Sequence, residues 1–109
     1  MEYLTIVGDG TTPTKDVPLT RDQIEHYKGR AAFLDGAYAK AAGAREGVEL
    51  IRAGQESVGH EVGTAEPWMA GFGFGMMARG HVPYHPNLAG HTAVAEMLYE
   101  KIQASGSAR

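Results

Sequence analysis

The 109-residue chain contains no cysteine, which excludes disulfides, thiolate metal sites and a cysteine nucleophile while leaving the compartment open. Long apolar runs are missing too. No window approaches the roughly 18 apolar residues of a membrane-spanning helix, so none is expected. The opening MEYLTIVGDG has no basic stretch followed by a long apolar one, so a signal peptide is not expected either. As given, the chain reads as cytoplasmic, with a secreted origin open if it is a piece of a longer protein. Basic charge is sparse: Lys and Arg total 10 against 13 Asp and Glu, for a net charge of -3. They are dispersed, without the footprint of a partner such as nucleic acid or anionic lipid. Residues 1–109 are expected to form one small domain that buries about 60 to 70% of its unfolded surface.

Four periodic segments are present. EYLTIVG (Glu2 to Gly8) is short, β-branched and apolar on both faces, which predicts a buried parallel strand ending in a Gly/Thr/Pro loop. Thr20 and Gln23 stand in capping-box spacing ahead of Ile24, Tyr27, Ala31, Leu34, Tyr38 and Ala41, with Gly43 beyond, and this predicts a long helix. VELIRAG (Val48 to Gly54) reads as a second strand. After Asn87, the stripe Val94, Ala95, Leu98 and Ile102 reads as a closing helix. Strands alternating with helices predict an α/β layer with a parallel sheet, and no repeat or domain linker interrupts it. Two strands between two helices leave sheet edges and an apolar face uncovered. A second polypeptide, or a second copy of the chain, is therefore expected to complete the fold.

The segment HVPYHPNLAGHTAVAEMLYEKI sets a histidine between two prolines just ahead of that last helix. A residue before proline is pushed toward extended backbone, so Pro83 constrains Val82 and Pro86 constrains His85. Asn87 suits the N-cap of the following helix, which places His85 near the positive end of that helix. Two readings stay open on these grounds: His85 packs and hydrogen-bonds locally, or the stiff loop presents its imidazole to a cleft.

YHPNLAGHTAVAEMLYEKI resembles the final signature of the SGNH (GDSL-type) hydrolases, in which His-Pro-Asn followed by Gly-His and an apolar helix carries the catalytic histidine. His85 matches that histidine. YLTIVGDGTTP, the long helix and ESVGHEVGTAEPWM resemble the preceding parts of the family's domain, so nearly the whole chain is covered, but only as a C-terminal half. The resemblance implies a flavodoxin-like three-layer α/β/α architecture with a parallel sheet. It implies an esterase or lipase-like activity on a small acyl ester, with His85 as general base to a serine. A neutral imidazole would take the proton of a serine hydroxyl while amide donors hold the oxyanion.

Most of that machinery is absent from the sequence. Gly10 occupies the serine position of the GDG at residues 8–10, Ser57 follows Gln55 and Glu56 rather than the glycine pattern of a nucleophile elbow, and no Gly-x-Asn-Asp segment occurs. Serine and oxyanion donors would have to come from a polypeptide carrying the N-terminal half, or from a homo-oligomer, and the isolated chain is expected to be inactive. The aspartate many relatives place three residues before the histidine is Val82 here. The resemblance then implies that the Val82 backbone carbonyl orients His85, with Glu56, Glu61 and Glu66 as possible substitutes that read more simply as solvated loop residues.

Other features are weaker. His81, His85 and His91 could suggest a metal, but proline breaks their register and no fourth ligand is evident, so no metal or other cofactor is assigned. AGFGFGMMARG (Ala70 to Gly80) lacks a phosphate loop's spacing and reads as a loop tucking Phe72 and Phe74 inward, or lining an acyl pocket. Trp68 reads as core, Gly90 as a close-packing position, and His91 as a residue satisfying a buried polar contact. Three hypotheses follow: the C-terminal part of an ester hydrolase, a noncatalytic binding or assembly module derived from it, and a histidine-cluster metal domain.

Overall fold

A computed structural model describes residues 1–72, 80 and 82–106. Among the described residues the regular elements are three helices: α1 (Arg21–Gly43), α2 (Ala53–Glu56) and α3 (Leu88–Ser105). The expected capping box is present, with Gln23 N–H donating to Thr20 Oγ1 at 3.1 Å and Thr20 N–H donating to Gln23 Oε1 at 2.9 Å. Asn87 caps α3, its Oδ1 accepting the Gly90 N–H at 2.9 Å. Both helix starts therefore lie where three-residue side-chain chemistry puts them.

The parallel sheet does not form. Among the described residues there is no strand, and the only bridge pairs Met69 with Pro86 in antiparallel sense. The expectation of an α/β fold, and with it the three-layer α/β/α architecture of an α/β hydrolase, esterase or lipase that the resemblance implies, is overturned: the described residues form helices and no sheet. The physical reason lies in the pairing of residues 2–7. They donate and accept one backbone bond to each of two different segments, Glu2 N–H to Ile51 O and Val62 N–H to Ile6 O, both at 2.9 Å. A ladder needs consecutive pairs on one neighbour. The second expected strand, Val48 to Gly54, forms no ladder either, and its last two residues belong to α2.

The core consists of Leu4, Val7, Val17, Ile24, Ala53, Val62 and Met69, flanked by half-buried Ile6, Leu19, Ile51, Trp68, Tyr84, Val94 and Met97. Most of it comes from loops, and the described helices touch one another only marginally. Of the predicted α1 stripe, Ile24 alone is buried, while Tyr27 and Leu34 are exposed. The stripe on α3 is rotated from its predicted position. Gly90, Ala93, Val94 and Met97 face inward, whereas Leu98 and Ile102 are exposed. The shape is correspondingly drawn out, 45 × 28 × 19 Å, with a radius of gyration of 15.3 Å against about 13 Å for a compact domain of this length.

Two buried carboxylates tie the loops together. Glu61 is 3% exposed, and its oxygens accept the N–H groups of Gly10 at 3.2 Å and Gly59 at 2.7 Å. A side chain at Gly8 would collide with it, and one at Gly10 would collide with Thr64 and crowd the same carboxylate, so the glycines of the GDG stretch serve this approach. The reading of Glu61 as a solvated loop residue is thus corrected, while Glu56 and Glu66 are exposed. Glu2, fully buried, pairs with Arg52 Nε at 2.8 Å and accepts the Gly54 N–H at 3.1 Å. A buried carboxylate is tolerated only with such partners.

Candidate functional site

The candidate site is the turn that carries His85. His85 N–H donates to Val82 O at 3.2 Å, closing a turn around Pro83 and Tyr84. Tyr84 sits at φ 59°, in the left-handed region. Proline second and a positive φ third is the pattern of a type II turn, which ordinarily recruits glycine or asparagine at that third place. A side chain there costs about 1 to 2 kcal/mol. The strain is held by the neighbours: Tyr84 N–H donates to Ala70 O and Ala70 N–H to His85 O, both at 2.8 Å, and Asn87 N–H to Trp68 O at 3.0 Å.

Each other residue of the motif has a structural duty. Pro86 bridges Met69. Asn87 caps α3 with Oδ1 and donates from Nδ2 to Pro67 O at 2.7 Å. Gly90 lets α3 lie against the Trp68 carbonyl, where no side chain would fit. The His85 imidazole differs: it is exposed and makes no hydrogen bond, ion pair or ring contact among the described residues. Val82 is exposed as well, and its carbonyl is engaged by the His85 main-chain N–H rather than by the ring.

The strained turn sends the neighbouring Tyr84 side chain the other way, into an apolar groove of about 360 Å³ between residues 3–7 and α1. Its hydroxyl is buried without a hydrogen-bond partner among the described residues, and burial pushes the phenol pKa up. Asp35 lines the same groove. Its carboxyl is held above the ordinary carboxylate range by burial and then by Glu2, with Arg52 opposing. The sequence reading missed Tyr84 and Asp35. A tyrosine directly after proline at a turn was the available signal for the first; Asp35 offered none.

The remaining candidates are settled by their surroundings. Ser57 is buried, donating to Gly54 O at 3.1 Å and accepting the Thr5 N–H at 2.8 Å, which fits a structural residue. His91 is exposed rather than satisfying a buried contact. His60 stacks on Trp68 at 4.0 Å between ring centroids, with Nδ1 2.7 Å from Glu66 O. Since a carbonyl only accepts, Nδ1 carries the proton of that bond. Among the described residues no three metal-ligating side chains cluster. His81 and the loop bearing Phe74, Met76 and Met77 lie outside the described residues. No described helix is long and apolar enough to cross a membrane. No known protein family, curated protein or solved structure matches the chain.

Proposed function

We propose that the chain supplies a proton-accepting histidine, His85, to an ester-cleaving site that another polypeptide completes with a hydroxyl nucleophile and oxyanion donors. One observation carries this reading. Within YHPNLAG, Tyr84, Pro86, Asn87 and Gly90 hold the loop, and among its polar side chains the His85 imidazole alone is exposed and makes no hydrogen bond, ion pair or ring contact with the described residues. The resemblance of the segment to the SGNH terminal signature supports the identity of the reaction; the fold does not enter.

An imidazole is suited to the task because its ordinary pKa, about 6.5, lies near working pH, so a neutral ring can take the proton of an attacking hydroxyl. Val82 O keeps a lone pair beyond the one used by the His85 N–H and could orient the ring once a partner encloses the loop. A carbonyl fixes the tautomer but adds no full charge, so the imidazolium is stabilised less than by a carboxylate.

The test is p-nitrophenyl acetate hydrolysis by the isolated chain, by the native complex recovered through a tag on the chain, and by the same complex carrying His85→Ala. Turnover is expected only in the wild-type complex, and Val82→Ala should stay within a few-fold of it because the carbonyl survives. Equal rates for wild type and His85→Ala would remove the catalytic assignment. The open groove beside Tyr84 favours a second reading, an assembly module without chemistry, and that outcome would leave it standing.

A further inference from the structure

The groove beside Tyr84 combines two unsatisfied features. Its floor is the continuous run Tyr3 to Val7, and Tyr27, Leu34 and Tyr84 form apolar walls. Along that floor the N–H groups of Tyr3, Leu4, Ile6 and Val7 donate to no atom of the described residues, and the carbonyls of Tyr3, Leu4, Thr5 and Val7 accept from none. A small apolar molecule would cover the walls but leave these main-chain groups unpaired. A helix would do no better, since its own backbone is internally bonded. An extended segment offers apolar side chains on one face and main-chain donors and acceptors along its edge.

The groove also has a charge at its margin. Asp35 lines it and forms no ion pair among the described residues, because Arg52 is committed to Glu2. Two carboxylates therefore face one guanidinium there, and an additional cation would be favoured. A second copy adding its own residues 3–7 would bring no side-chain cation, since residues 1–10 hold Glu2 and Asp9 and neither lysine nor arginine.

We propose that the groove between residues 3–7 and α1 seats an extended apolar segment of another polypeptide carrying one lysine or arginine. The segment pairs with the main chain of residues 3–7 and sets its cation against Asp35. This rests on the reading that a partner completes the site, and it identifies the part of the partner that docks.

The experiment uses the ¹⁵N-labelled full chain and blocked peptides eight residues long that alternate valine and threonine, with a lysine at either end. Three probes accompany them: the same peptides N-methylated at alternate main-chain nitrogens, the same with glutamate for lysine, and decanoate. One lysine peptide should shift the amides of Tyr3 to Val7 and slow the solvent exchange of those on the edge it pairs with, and bind at least tenfold tighter than its N-methylated and glutamate forms. Asp35→Asn should erase the preference for lysine over glutamate. Equal affinity of the N-methylated peptide, or no protection of these amides by any peptide at millimolar concentration, would overturn the proposal. So would decanoate binding that displaces the peptide without protecting amides, or concentration-dependent self-association that protects them in the peptide's absence. His85→Ala should leave this titration unchanged, so loss of binding and loss of turnover report on different claims.

Discussion

The carbonyl oxygen of Trp68 fills the space that a side chain at Gly90 would need. The contact lets the first turn of α3 press against residues 68–70. Gly90→Ala should destabilise the chain by about 1 to 3 kcal/mol, since backbone must move to admit the methyl group. Gly36→Ala makes the opposite comparison. Nothing lies within 4 Å of a β-carbon at that mid-helix position, so a gain of about 0.5 to 1 kcal/mol is expected. Urea unfolding midpoints of both variants check the signs.

His85 and Asn87 are two residues apart and should respond differently to truncation. His85→Ala removes an exposed ring with no partner among the described residues, and its unfolding free energy should stay within about 0.5 kcal/mol of wild type. Asn87→Ala removes the cap on Gly90 N–H and the bond to Pro67 O. About 1 to 2 kcal/mol should be lost. A loss at His85 as large as that at Asn87 would mean that the histidine is structural.

Glu61→Gln tests the carboxylate that joins two glycine loops. The carboxylate accepts from two main-chain donors, Gly10 and Gly59, whereas an amide offers one acceptor and turns its own N–H toward the other donor. A loss of about 1 to 3 kcal/mol is expected. Exchange of the Gly10 and Gly59 amides should quicken more than the exchange of amides in α3.

Asp35 gives a pH dependence of defined sign. Its carboxyl is raised, first by burial and then by Glu2, with Arg52 opposing. The folded chain therefore holds this proton more tightly than the unfolded one, so charging Asp35 costs stability as pH rises through the folded value. Above that value the cost is constant. Asp35→Asn should be the more stable protein at neutral pH, with the difference closing as pH falls below about 3.9, the ordinary aspartate value. Paired unfolding curves from pH 3 to pH 7 measure it. A difference that stays constant across the range would show that charge is not its source.

What could be read from the sequence was local. Thr20 with Gln23 and Asn87 with Gly90 are side-chain and backbone partners three residues apart, and both appear as expected. The strands could not be read in the same way. Residues 2–7 are largely apolar as a strand should be, but whether they become one depends on neighbours some fifty residues away; Ile51 and Val62 each supply one bond, and the chain bends at Ile6 and Val7. The burial of Glu61 was equally hidden, since its partners Gly10 and Gly59 reach it only through the tertiary fold. On α3 the periodicity was right and the phase wrong. Close approach at Gly90 rotates small Ala93 inward and leaves larger Leu98 outside.

The stitch between Gly10 and Glu61 spans 51 positions, as does that between Thr11 and Val62. All of α1 lies inside the loop they close. The helix can form within about a microsecond from its own capping box, but the core cannot assemble until that loop has shut, at an entropic cost set by its length. Refolding followed by far-ultraviolet circular dichroism should therefore run ahead of refolding followed by Trp68 fluorescence. The chain should fold more slowly than a helical bundle of its size, because its decisive contacts are the distant ones.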